Sequence, residues 1–235
     1  MSFTIKLILF SAFIFIMLIM SVNYRKRKRK IIFFGDSITE AGALFGGFIQ
    51  RIATYLQDED IAHKYDLVGM GKRGNKVTDL QERLSRDILE RGCDMVVMYI
   101  GVNDVWHKFT HNTGTDVETF EQVYSAIVER IKSAYIKLIL CTPAVIGEKI
   151  QQTNIADIEL EKVCAIIRKI ASDYDLPLVD LRKTFTQYLL EKNIENMESG
   201  ILTSDGVHLN EKGNQMVANE IWTTIKVTIA STENW

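Results

Sequence analysis

Proline and cysteine are the scarce residues of this 235-residue chain. Two prolines leave no room for a Pro-rich linker. The three cysteines, Cys93, Cys141 and Cys164, are an odd number without CxxC spacing, which argues against a disulfide framework or a thiolate zinc site. Each lies in or beside an apolar segment and reads as a reduced core thiol. Histidine is nearly as rare. His107 and His111 stand four apart, but no third histidine or carboxylate follows at ligand spacing, so no metal is expected. His63 reads as a surface residue. Acids are missing from the first 30 residues, which hold seven Lys or Arg. The remainder carries 21 cations against 30 anions, a formal charge of −9. Such an acidic body disfavours nucleic acid and strongly anionic substrates. There is no internal repeat.

What is present begins with one long apolar run, Leu7–Val22, which is 16 uncharged residues. It suits a short membrane helix with Lys6 and Tyr24 at the interfaces, or the apolar region of a signal peptide. Against cleavage, no clear small-residue site precedes Tyr24. Six consecutive cations follow, Arg25–Lys30. By the positive-inside tendency they keep the rest of the chain cytoplasmic, and they suit anionic headgroups. A segment that acts as a signal would place the domain in the periplasm or outside the cell instead. The chain thus divides into a membrane anchor or uncleaved signal at 1–24, a basic juxtamembrane run at 25–30, and one domain at 31–235, a size ordinary for a single α/β unit.

Along that domain, apolar β-rich runs alternate with helical periodicity, the pattern of a parallel sheet covered on both faces. Strands are expected near 31–35, 65–69, 94–100, 137–142 and 177–181. Helices are expected near 44–57, 77–91, 116–134, 153–173, 182–193 and 210–229. Thr78-x-x-Gln81 and Thr115-x-x-Glu118 resemble capping boxes, and Asn210 suits an N-cap. Ile155, Ile158, Ile166, Ile167 and Ile170 recur near helical spacing and predict a core stripe.

Four polar blocks break this pattern. The strand Ile31–Phe34 stops at Gly35-Asp36-Ser37, which suits either an ordinary capped turn or a nucleophile at a strand's carboxyl end, where open α/β sheets bind ligands. Gly71-Lys72-Arg73-Gly74-Asn75 follows the second strand. Gly74 there offers a backbone N–H to a site or simply meets a turn's need for positive φ. Gly101-Val102-Asn103-Asp104 follows the third, as an Asx-turn or as an amide aimed at an oxyanion. Asp205-Gly206-Val207-His208 puts an acid three residues before a histidine, a spacing that lets Asp205 hold Nδ1–H of His208 and also occurs in solvated loops.

In that order, GDS, GxxGN, GVND and DGVH resemble the four blocks of the SGNH, or GDSL-type, hydrolases, and the resemblance covers about residues 31–225. It implies a flavodoxin-like three-layer α/β/α domain with a five-stranded parallel sheet, here preceded by the N-terminal transmembrane helix. It also implies Ser37 as nucleophile, His208 as general base and then acid, and Asp205 as the residue that orients it. Ser37 N–H, Gly74 N–H and the Asn103 amide would form the oxyanion hole. No metal or organic cofactor is implied. GVNDVWHK and Cys141-Thr142-Pro143 look like the branch of acetylxylan esterases and carbohydrate deacetylases. In that light Asp36, Asp104 and Trp106 are expected at the substrate, Trp106 as a wall of a short acyl pocket or as a rim aromatic. The expected reaction is cleavage of short-acyl esters of carbohydrates or similar small molecules. Lysophospholipase, thioesterase and acyltransferase activities are the alternatives within the family, and a tethered binding module is the alternative outside it. The expected partners are the ester substrate and, through the N-terminal helix, a membrane.

Overall fold

A computed structural model describes residues 27–150 and 154–231. Five strands form one parallel sheet in the order β2-β1-β3-β4-β5. They are β1 (Arg29–Gly35), β2 (Tyr65–Gly71), β3 (Met95–Tyr99), β4 (Lys137–Cys141) and β5 (Leu178–Val179). Ile31–Phe34 and Met95–Tyr99 are buried along their whole length, because helices cover both faces and no position alternates to solvent. The helices are α1 (Ser37–Gly42), α2 (Phe48–Asp58), α3 (Val77–Asp87), α4 (Val102–Thr110), α5 (Val117–Ser133), α6 (Ile155–Asp173), α7 (Leu181–Lys192) and α8 (Glu211–Ala230). Helix α2 packs with α8, while α3, α5 and α6 pack in succession.

The chain steps from β1 outward to β2, then back across β1 to β3. The carboxyl ends of β1 and β3 therefore flank the point where strand order reverses, which is where a doubly wound sheet opens a crevice. The three-layer, five-stranded arrangement agrees with the sequence expectation. The expected N-terminal span at 1–24 lies outside the described residues. Among the described residues no helix is long and apolar enough to cross a membrane. The end of the basic run is built into the domain, and β1 begins at Arg29 rather than Ile31. Arg27 pairs with Asp94 at 2.7 Å, Lys28 Nζ donates to Ala62 O, and Lys30 Nζ donates to Arg91 O.

Local chemistry explains where the elements depart from expectation. Helices α1 and α4 were not anticipated. Asp36 caps α1 by accepting from Ile38 N at 2.9 Å, and α4 buries Val102, Asn103, Asp104 and Val105 in its first turn, polar and apolar side chains alike. The expected helix 77–91 stops at Asp87, continues as a single 3₁₀ turn Leu89–Arg91, and ends at Gly92 in the left-handed region (φ 60°). Neither threonine caps its helix. Asp79 accepts from Lys76 N ahead of α3, and Asp116 accepts from Thr119 N to start α5. Asn210 does cap α8, accepting from Gly213 N at 3.0 Å. Of the isoleucine stripe on α6, Ile166, Ile167 and Ile170 are buried, whereas Ile155 and Ile158 stay exposed while Ala156, Asp157 and Leu160 take the buried side of the same turns. All three cysteines are buried free thiols, and burial pushes Cys93 up to about 11.

Candidate active site

At the carboxyl end of β1, Gly35 admits a contact no other residue allows. A Cβ there would lie 2.2 Å from Tyr99 O and 2.3 Å from Thr39 Oγ1, so glycine lets β1, β3 and α1 converge. The Asp36 cap then starts α1 at once and sets Ser37 in its first turn. Ser37 Oγ lies 3.0 Å from His208 Nε2, across 171 positions of sequence. The other ring nitrogen of His208, Nδ1, lies 2.7 Å from Asp205 Oδ2. Asp205 Oδ1 accepts from Val207 N at 3.0 Å and His208 N at 2.8 Å, so one carboxylate shapes the turn and orients the ring. Partial burial would raise the Asp205 pKa. The N–H groups of His208 and Val207 outweigh that effect and hold it below the usual carboxylate range.

Asn103 stands in the first turn of α4, after β3. Its Nδ2 donates to Asn75 O at 3.0 Å, joining the third block to the second. Immediately before Asn75, Gly74 adopts φ 75°, a conformation that favours glycine. Trp106, one turn further along α4, sets its ring edge-on to His208 with centroids 6.0 Å apart. The His107 ring lies over Gly74, 3.8 Å from where a Cβ would stand, and touches the His111 ring. Among the described residues no cluster of three ligating side chains exists, and that pair is not extended.

Asp36 and Asp104 do not reach toward a substrate as expected. Both are buried and already occupied: Asp36 with Ile38 N, Asp104 with Val77 N at 3.1 and 3.2 Å. Burial raises Asp36 to about 7, helped by the nearby Asp104 charge and opposed by the Ile38 N–H. It raises Asp104 to about 6, against the opposing Thr115 and Val77 hydrogen bonds. These are loop-holding carboxyl groups.

Among the buried charged residues that the sequence left unmarked, two brace the site. Arg83 of α3 spreads its guanidinium over the ends of β1 and β2, donating to Gly35 O, Met70 O and Asn75 Oδ1, and pairs with Asp87. Glu148, in the loop after β4, accepts from Ile201 N, Leu202 N and Thr203 N and from the Thr203 hydroxyl. Thr203 Oγ1 accepts in turn from Gly206 N, so the carboxylate anchors the loop that carries Asp205 and His208. A signal existed for each: Arg83 falls within the apolar stripe Leu80–Leu84 with an acid at i+4, and Glu148 ends the apolar run Ala144–Ile146.

The model of the GDSL-like lipase/acylhydrolase family matches residues 33–216, a span that includes all four blocks. The chain belongs to this family. A solved structure of an acetyl xylan esterase, AlAXEase, is 47% identical to this GDSL-like protein, with a TM-score of 0.82 over 83% of this chain and 99% of that one. An acetylxylan esterase of Geobacillus stearothermophilus is 26% identical over 204 residues, covering 80% of this chain and 90% of its own. An isoamyl acetate-hydrolyzing esterase 1 homolog from Bos taurus is 25% identical over 223 residues, covering 86% and 83%. The GDSL-like protein is accordingly a hydrolase acting on ester bonds.

Proposed function

We propose that this hydrolase removes short acyl groups, acetyl above all, from carbohydrate esters by a serine acyl-enzyme mechanism. The observation that carries the reading is the continuous relay from Ser37 Oγ through His208 to Asp205. His208 Nε2 takes the Ser37 proton as Oγ attacks the ester carbonyl, and Asp205 holds Nδ1–H and stabilises the imidazolium. The charge that develops on the carbonyl oxygen meets Ser37 N–H, Gly74 N–H and the free N–H of the Asn103 amide. His208 then returns its proton to the departing alcohol, and a water molecule activated by the same nitrogen clears the acyl-enzyme. Neither a metal nor an organic cofactor enters these steps. Support for acetate comes from the acetyl-ester activity of the relatives and from the Trp106 indole set edge-on beside His208, where a bulky ring would favour a small acyl group.

The test is hydrolysis of p-nitrophenyl esters from acetate to palmitate, and of acetylated xylooligosaccharides, with Ser37→Ala as control. A steep fall beyond acetate together with acetate release from the sugar is the expected result. Rates that climb with chain length would move the assignment to lysolipids, and acetyl transfer to a sugar hydroxyl in preference to water would make it an acyltransferase. Normal turnover by Ser37→Ala would sink the mechanism.

We further propose that Leu7–Val22 tethers the enzyme to a membrane in a single pass, with the catalytic domain on the cytoplasmic side. The apolar run and the six cations after it support this. In sealed cells, protease should spare the domain until the membrane is permeabilised. Digestion without permeabilisation would assign it to the outer side.

A further inference from the structure

We infer that Arg83 is a positioning residue for the oxyanion hole, acting on Asn103 through Asn75; this rests on the reading of Asn103 as an oxyanion donor. The guanidinium is 7% exposed, lies 4.5 Å from the Phe34 ring centroid and distributes its N–H groups among four partners. Nη2 donates to Gly35 O at 2.6 Å, two residues before Ser37. Nη1 donates to Met70 O at 3.0 Å and to Asp87 Oδ2 at 2.9 Å. Nε donates to the Asn75 side chain at 2.7 Å. A planar fork thereby locks the ends of β1 and β2 and the loop containing Gly74 into one body, a task that the single point charge of a lysine does not perform.

The consequence reaches the chemistry through Asn75. Its backbone carbonyl accepts one of the two amide hydrogens of Asn103. With that hydrogen fixed, the amide plane is set and the second hydrogen has one direction left. If the Asn75 side chain lost its hold on Arg83, the carbonyl would drift and the second hydrogen would no longer be aimed. Donors of this kind act because they are already placed when charge develops, so loss of placement lowers kcat more than it raises KM.

The experiment is a double-mutant cycle on the full chain with p-nitrophenyl acetate, using Asn75→Ala, Asn103→Ala and the double variant, with melting temperatures alongside. Asn75→Ala keeps the backbone carbonyl and leaves Arg83 its bonds to Gly35, Met70 and Asp87, so the fold survives even where Arg83→Met fails. The expected result is a kcat about 10-fold lower for Asn75→Ala with KM within about twofold, and less than about twofold further loss when Asn103 is already alanine. Equal losses in both backgrounds, or an unchanged kcat for Asn75→Ala, would overturn the inference and leave the oxyanion reading standing. Wild-type kcat in Asn103→Ala would overturn that reading and the inference together.

Discussion

The two halves of the site are built by opposite means. On the Ser37 and Asn103 side the frame is the sheet: backbone runs out of β1 and β2 with carbonyls pointing past the last strand residues, and a buried cation, Arg83, collects them. On the Asp205 and His208 side there is no sheet. The loop is tied by one isolated bridge, Thr203 to Leu209, and by a buried anion, Glu148, that collects N–H groups. The same requirement explains both. Buried backbone groups must find partners, and the sign of the side chain that serves them follows from which groups the local geometry leaves over. The sheet half is held through strand register, whereas the loop half rests on Glu148 and a few short backbone bonds, among them Gly147 N to Gly206 O and Ser204 N to His208 O.

The predictions separate these halves, beginning with the largest. Asp205→Asn should lower kcat by about 10⁴-fold, because the ring of His208 loses the acceptor that sets its tautomer. Steady-state kinetics on p-nitrophenyl acetate would check it, and a loss below about tenfold would mean that the loop half does less than its geometry suggests. Asn103→Ala should cost about 100- to 1000-fold in kcat with KM nearly unchanged, the usual weight of one oxyanion donor.

Glu148→Gln should sharpen the contrast most directly. It exchanges a carboxylate serving three N–H groups and a hydroxyl for an amide whose nitrogen cannot accept, at a cost of about 2–3 kcal/mol. Hydrogen exchange should show faster opening at 200–209 while amides of β1 and β3 keep their protection. Uniform loss of protection across the sheet would show that the halves are not separable.

A separate effect is on pH dependence. Asp36, held at about 7, and Asp104, held at about 6, bind protons in the folded protein that the unfolded chain has released above about pH 4. Stability from this pair therefore falls as pH rises from about 4 to 7. Asp36→Asn keeps an oxygen acceptor for Ile38 N and removes the charge, so its denaturation midpoint should vary less over that range than that of the wild type. Parallel curves would show that Asp36 is not the group responsible.

Much of this was legible along the chain because the signals are short-range. The apolar runs Ile31–Phe34 and Met95–Ile100 marked the two central strands, Asn210 marked its cap, and each polar block lay just past a strand or before the last helix. The turn Asp205–His208 was readable for the same reason, since a carboxylate bonds an imidazole three residues away. Helix α4 was missed because its buried residues, Val102 to Val105, include the polar Asn103 and Asp104 and so show no apolar periodicity. Asp36 and Asp104 were misjudged because a carboxyl beside a site residue looks alike whether it faces a cleft or the interior.

What the sequence determined by itself is the five strands, the longer helices, their alternation and the four blocks that carry the chemistry, all of which rest on contacts within a few residues. Only the tertiary structure decided that Ser37 meets a histidine 171 positions away, that Asn103 leans on Asn75, and that Arg83 and Glu148 are buried. The physical reason is that the value of a charge depends on its surroundings. In the chain Arg83 and Glu148 are two among many ionisable residues, and the fold, by burying them against unpaired carbonyls on one side and unpaired N–H groups on the other, gives each its task.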